Sequence, residues 1–262
     1  MRLIALVLIC LTIILSVRGI VIVSSHYKED LEWLHASPYP VVICDKTGSE
    51  PSSFKPDPKC FLEVNKGREA SSYLKYIVEY YDSLPPYIAF IHGHEEAWHQ
   101  LHPDGIFGAI ERTKLCDYEY INLNNYIDVK IGKGDPPKLP CHENSHQFGV
   151  MIVQFEEIKR CWSTVFEPIL GYPIPNYIRF PMGAQFIVSR RAIRRHPKSA
   201  YETLLNYVND PTCEDDFSRG FVIECIWHSL FTGAPMDICN DPSDPHMYKQ
   251  CSEDSYMNSR FD

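Results

Sequence analysis

The apolar positions divide the first ninety residues into three short runs separated by polar turns. Ile20–Val23 is followed by polar residues and by the acidic turn Glu29-Asp30, which opens a short helix. Val41–Cys44 is closed by Asp45, Lys46 and Gly48, and Tyr87–Ile91 leads into a segment rich in histidine. Between the second and third runs, Ala70, Tyr73, Leu74, Ile77, Val78 and Tyr81 recur at spacings of three and four. That spacing predicts an amphipathic helix, and Pro85-Pro86 stops it. Strand, short helix, strand, helix, strand is the alternation of βαβ units. It predicts an α/β fold with a mainly parallel central sheet and flanking helices.

The second half continues the mixture. Phe155, Ile158, Trp162, Val165 and Phe166 form one helical stripe. The stretch from Gly183 to Ile193 reads as a strand running into a basic helix start, and Pro197 opens an amphipathic helix ending near Val208. The stretch from Arg219 to Phe231 reads as a mostly buried helix carrying Glu224 and His228 at i, i+4. Beyond Pro235 the pattern fades into a tail. Twenty prolines predict a loop-rich protein, and no linker splits the chain. The division is therefore 1–19 as a leader, 20–235 as a single α/β domain and 236–262 as a C-terminal tail.

The leader carries one arginine and then fifteen apolar or small residues, Leu3 to Val17. This is the pattern of a secretory signal peptide. As a retained signal anchor it falls short of the roughly 20 residues that span a bilayer, and Ile20–Val23 is needed as a strand. The expected setting is the secretory pathway: secreted, or in the lumen of the endoplasmic reticulum or Golgi. Membrane contact is expected only through the leader, if it is uncleaved. Loss of Cys10 with the leader reduces ten cysteines to nine, an odd number, so several pair and at least one does not. Cys239 and Cys251 flank a tail that a staple would order, whereas Cys161 and Cys225 sit within helical patterns as small core residues. A net charge of −9 argues against nucleic acid as a partner.

In open sheets of this class, ligands bind beyond the carboxyl ends of the strands. The segments Ser24–Lys28, Asp45–Gly48 and His92–His99 should therefore converge. No G-x-G-x-x-G or P-loop occurs, so neither standard nucleotide site is expected. His92 and His94 are two apart and share a face on a continuing strand, and Gly93 between them permits close approach of a ligand or of backbone. Imidazole suits Mn²⁺ or Zn²⁺, with Glu95, Glu96 or Asp104 able to complete a metal site. The competing reading has one histidine capping the strand end and the others solvated. Trp98 either packs on the core or offers a stacking platform.

Asp45 could accept from ribose hydroxyls and Lys46 could neutralise phosphate, or both could belong to an ordinary turn. Asn65, Lys66, Gly67 and Arg68 stand at a helix start, where backbone N–H groups and the dipole favour an anion. The alternative there is an Asn65 cap and an exposed Arg68–Glu69 pair. Glu224, among apolar neighbours, needs a partner. His228 is one turn away, and such a pair could serve as a general base with its pKa raised by burial. It could instead pin the helix to Arg190 or Arg191. Asp215 and Asp216 are alternative bases on a loop.

Several of these segments resemble a widespread domain family of unknown function: Asn65–Pro85, Phe90–His99, Tyr120–Leu123, Gly183–Ile193 and Glu224–Phe231. The opening, VSSHYKEDLEWL followed by VVICDKTG, is also similar to the start of GT-A-type glycosyltransferases, and GAQFIVSRRAI is similar to an acceptor-side segment of such enzymes. The resemblance implies a GT-A/Rossmann-like fold and sugar transfer from a nucleotide-sugar donor to a glycan or protein hydroxyl. It implies that Asp45, Lys46, Asn65, Lys66, Gly67 and Arg68 hold the donor, His92 and His94 a divalent metal, and Glu224 with His228 the acceptor proton. One departure stands out: His92-Gly93-His94 occupies the place where such enzymes carry Asp-x-Asp. The rival readings are a zinc hydrolase using His92, His94, His99 and Glu224, and a non-enzymatic, disulfide-stabilised binding protein.

Overall fold

The computed structural model describes residues 19–46, 53–97, 99–100, 104–113, 119–124, 128–132, 158–175, 177–181, 183–210 and 216–233. The three apolar runs become β1 (Ile20–His26), β2 (Val41–Asp45) and β3 (Tyr87–His92), each extending past its apolar stretch into the polar residues that follow. β1 lies in the middle and pairs in parallel with both neighbours: Val23 stands opposite Val42 on one side and Phe90 on the other. The helix predicted between β2 and β3 is α1 (Arg68–Tyr80). It buries Ala70, Tyr73, Leu74, Ile77 and Val78, the positions marked by the spacing.

The sheet has five strands in the order β2-β1-β3-β7-β4, with β4 at Tyr120–Asn122 and β7 at Phe186–Ser189. The expectation of a mainly parallel sheet holds for its first half only. β7 runs antiparallel to both β3 and β4, so β4 regains the direction of β3. Apolar alternation marks a strand but carries no direction, and here no crossover helix links β3 to β7 as parallel neighbours. Asp128–Gly132 (β5) and Tyr177–Pro181 (β6) form a separate antiparallel pair. The architecture is a mixed α/β fold with an open five-stranded sheet.

Side-chain alternation splits the core into two layers. Val23, Ile88, Phe90, Phe186 and Val188 face α1 and two later helices, α5 (Lys198–Asn209) and α6 (Asp216–Thr232). Ile22, Ala89, Ile91, Ile121 and Ile187 face α2 (Gly105–Arg112) and the short turn Glu32–Ala36. β7 runs directly into α4 (Arg190–Ile193), where Ser189 Oγ accepts from the Ala192 N–H at 3.0 Å, as the strand-to-helix reading expects. The stripe over residues 158–170 is helical, with a wide turn at Trp162–Phe166 and then α3 (Glu167–Leu170); Phe155 lies outside the described residues. From Phe221 to Phe231, α6 is buried at every position, the mark of a helix packed all round. Trp227 and Phe231 stack on it with ring centroids 5.7 Å apart.

Cys44 and Cys60 form a disulfide that fastens the end of β2 to the turn before α1. Cys161 and Cys225 are buried and take part in no disulfide among the described residues, as their helical setting suggests. Cys239 and Cys251, the leader and the tail lie outside the described residues. Among the described residues no helix is long and apolar enough to cross a membrane.

Candidate functional site

From β1 the chain steps to β2 on one side and then returns to β3 on the other. Such a switch leaves a crevice beyond the carboxyl ends of the strands. The molecule has a cleft of about 270 Å³ there. Its floor comes from Ser25 at the end of β1, Lys46 just past β2, and His92, Gly93 and His94 at the end of β3. Asn65, Arg68 and Glu69, from the start of α1, form one wall, with Tyr27 and Glu29 at the rim. Five of the residues singled out from the sequence, Lys46, Asn65, Arg68, His92 and His94, thus share one cavity. Lys66 is half-buried beside them.

The wall at α1 is built by an unusual turn. Gly67 and Arg68 both have left-handed backbones, φ 67° and φ 49°. Glycine adopts this freely, and at position 67 a Cβ would also stand 2.9 Å from Val208 Cβ. For Arg68 the conformation costs about 1–2 kcal/mol, and the surroundings hold it in place. Lys46, 1% exposed, donates from Nζ to the Lys66 carbonyl at 3.3 Å and to the Arg68 carbonyl. Ser71 Oγ donates to the same two carbonyls at 2.6 and 3.1 Å. Lys46 therefore borders the cleft while its ammonium braces the turn that presents Arg68. Gly67 is the residue before the helix and no side chain caps it, so the Asn65 cap does not form. Arg68 Nε lies 3.9 Å from Glu69.

Asp45 is not on the cleft surface. It is 3% exposed, and its Oδ1 lies 2.7 Å from His26 Nδ1, while His26 Nε2 faces the Glu29 carbonyl at 3.2 Å. This buried pair ties the ends of β1 and β2 together, and through Glu29 it holds the rim. A direct ribose contact from Asp45 is not part of this arrangement.

The histidines at the end of β3 form a group. His92 Nδ1 is 3.2 Å from His94 Nε2, and the His99 ring stands edge-on to His92 with centroids 5.3 Å apart. The His92 N–H donates to Gln185 Oε1 at 3.2 Å, and Ser24 Oγ donates to the His92 carbonyl at 3.2 Å. A Cβ at Gly93 would come within 2.6 Å of the Ser25 carbonyl, so the close approach at Gly93 is made by backbone. His92 is half-buried as a residue, but its Nε2 is enclosed. Burial first, then the neighbouring imidazoles of His94 and His99 and the Arg68 charge, hold its basicity well below the usual histidine range. The nearby Gly183 backbone opposes this. A neutral ring is the form that binds metal.

Two nitrogens bound to one tetrahedral ion at about 2.0–2.1 Å stand roughly 3.3 Å apart, so the His92–His94 spacing suits two ligands of one metal. Among the described residues no third His, Cys, Asp or Glu joins them in a metal-binding group. Asp104, expected as a completing carboxylate, is held by Arg112, and Glu95 and Glu96 are exposed. The zinc quartet is not assembled among the described residues: His92, His94, His99 and Glu224 form no metal-binding group, and Glu224 is engaged with the Gly183 N–H. Trp98 lies outside the described residues.

Glu224 is buried, yet its partner is not His228. Glu224 Oε1 accepts from the Gly183 N–H at 2.6 Å, while the His228 ring stands edge-on to Tyr120. Nor does it reach the arginines of α4: Arg191 pairs with Glu119 and Arg190 donates to the Leu84 carbonyl. The i, i+4 spacing brought Glu224 and His228 to one side of the helix, but a neighbouring loop supplied the stronger donor. Burial, followed by the nearby Glu69 carboxylate, raises the Glu224 pKa from 4.5 to about 7, against the Gly183 bond and the Arg68 charge. Its carboxyl can therefore exchange a proton near neutral pH. Asp215 lies outside the described residues.

Fold and cleft together define an α/β protein with a strand-end cleft lined by an arginine, paired imidazoles and carboxylates. The chain belongs to the family described as protein of unknown function (DUF3431), whose profile matches residues 21–251. No curated protein and no solved structure matches the chain.

Proposed function

We propose that this chain is a glycosyltransferase-like protein of the secretory pathway, moving a sugar from a nucleotide-sugar donor to a hydroxyl of a glycan or protein. The observation that carries the reading is the shared cleft of Arg68, Asn65, His92 and His94 at the carboxyl ends of the parallel strands. The similarity of the opening segment and of GAQFIVSRRAI to GT-A enzymes supports it. The apolar leader and the Cys44–Cys60 disulfide suit an oxidising secretory compartment.

In this reading Asn65, Lys66, Gly67 and Arg68 hold the donor diphosphate at the start of α1, where the helix dipole adds to the arginine charge. Lys46 fixes the turn behind them, and Asp45 acts through His26. His92 and His94 would hold a divalent metal, Mn²⁺ or Zn²⁺, which when bound would neutralise charge on the leaving diphosphate. Glu69, on the cleft wall, takes the acceptor proton, and the buried carboxyl of Glu224 acts through it. The acceptor oxygen bonds to the anomeric carbon, the bond from that carbon to the diphosphate breaks, and the nucleoside diphosphate leaves.

The test is turnover. Purified chain is incubated with Mn²⁺ and a panel of uridine and guanosine diphosphate sugars, and released nucleoside diphosphate is measured. Release that is lost in Glu69→Gln and Glu224→Gln supports the reading. A panel in which no donor is bound or consumed removes it.

A further inference from the structure

Beside the cleft lies a set of buried polar side chains that the reading above does not use: His99, Asn122, Asn124 and Gln185, each at most 6% exposed. Two backbone N–H groups, which can only donate, fix how their amides are turned. The Asn124 N–H donates to Asn122 Oδ1 at 3.1 Å, and the His92 N–H donates to Gln185 Oε1 at 3.2 Å. One end of the Asn124 amide faces Asn122 Oδ1 at 3.0 Å and the Gln185 carbonyl at 3.2 Å. Both are acceptors, so that end is Nδ2. The other end accepts from Gln185 Nε2 at 3.1 Å, and Nε2 also donates to Gln100 Oε1 at 3.1 Å. It is therefore Oδ1, and it stands 2.8 Å from His99 Nδ1. An amide oxygen has no hydrogen to give, so the hydrogen of this bond is on the imidazole.

We infer that Asn124 is a positioning residue of the cleft that holds His99 in the Nδ1–H tautomer, leaving the lone pair on Nε2. Space for this is built into the fold. Gly183 has φ 113°, and a Cβ there would lie 2.7 Å from Asn124 Cγ, so a larger residue would displace the amide. Burial lowers the basicity of His99, as do the charges of His94 and Arg68, while the Asn124 bond opposes them. Gln185 grips His92 and Asn124 at once, so a single amide frame across β3, β4 and β7 mounts both histidines. His99 stands edge-on to His92 with the hydrogen of its Nδ1 committed to Asn124, so a role in the histidine group falls to the Nε2 lone pair rather than to a hydrogen there. That chemical role rests on the reading of the cleft as the reactive site; the tautomer does not.

The experiment is long-range ¹H–¹⁵N NMR of ¹⁵N-histidine-labelled full-length chain at neutral pH, with His99→Gln used to assign the resonances. The wild type should show a hydrogen-bearing Nδ1 and a bare Nε2 at His99. Asn124→Leu, which keeps the forked shape and removes the acceptor, should shift the ring toward the opposite tautomer while the His196 resonances stay put. A wild-type spectrum with hydrogen on Nε2 overturns the inference, and so does an unchanged tautomer in folded Asn124→Leu. Should that variant fail to fold, the wild-type spectrum alone decides. Uridine diphosphate binding is measured on the same sample. The expected tautomer with no binding removes the role and leaves the assignment standing, whereas binding with the other tautomer overturns the inference and leaves the reading of the cleft standing.

Discussion

The buried ammonium of Lys46 donates to the backbone carbonyl of Arg68, the residue whose side chain lines the cleft. One cation thus braces the strained turn that presents another. Lys46→Met keeps much of the stem and removes the ammonium from the Lys66 and Arg68 carbonyls, on which the Ser71 hydroxyl remains. Loss of a charged hydrogen bond in a buried setting costs about 2–3 kcal/mol. Urea denaturation should show that loss, and anion affinity should fall with it although Lys46 braces the turn from behind. A variant as stable as wild type would show that the brace is dispensable.

Glu224 gives stability a pH signature. Its folded pKa of about 7 lies above the unfolded 4.5, so between those values the folded chain binds more protons than the unfolded one. Stability therefore falls as pH rises through that window, by on the order of 3 kcal/mol in all. Glu224→Gln keeps an oxygen for the Gly183 N–H and removes the titration. Denaturation at pH 5 and pH 8 should show the variant gaining on wild type at the higher pH. Parallel pH profiles would contradict the assignment.

His92 acts in the opposite direction. Its folded pKa is depressed, mainly by burial, so the unfolded chain binds the extra proton as pH falls below about 6.5. The contribution is present above that value and is lost on acidification. His92→Gln should be less sensitive than wild type between pH 7 and pH 5 in thermal melts. The same substitution, like His94→Gln, should weaken Mn²⁺ or Zn²⁺ binding at least about tenfold. Equal metal affinity would separate the imidazole pair from any metal role.

The Cys44–Cys60 bridge closes a loop with a sequence separation of 16. A loop of that size corresponds to about 3 kcal/mol of stabilisation in the chain-entropy account. Reduction, or Cys60→Ser with Cys44→Ser, should lower Tm and loosen the approach to α1 first. Hydrogen exchange at residues 53–67 reads this directly, and unchanged protection there would contradict it.

Much of this arrangement was legible in the chain. Three apolar runs gave β1, β2 and β3, and the three-and-four spacing from Ala70 to Tyr81 gave α1. The rule that ligands meet strand ends draws Ser24–Lys28, Asp45–Gly48 and His92–His99 to one region, whereas Arg68 is marked only by its place at a helix start. Pairing between distant elements was not legible. The sequence reading gave Asp45 a ligand, but His26 sits closer in the folded chain. Helical spacing points Glu224 to His228, but its donor is the Gly183 N–H, from a loop 41 positions away in sequence. The reversed β7 was invisible because alternation has no sense of direction. Asn122 and Gln185 lay inside recognised motif segments, yet only their hydrogen bonds identify them as the frame under the histidines.

Isothermal titration of the full-length chain with uridine diphosphate and Mn²⁺, compared with Arg68→Gln, tests the central claim most directly. The account predicts saturable binding to wild type and at least about tenfold weaker binding to a variant with the same Tm, the loss expected for one charged hydrogen bond. Equal affinity in the two proteins, or no binding of any nucleoside diphosphate to either, would contradict it.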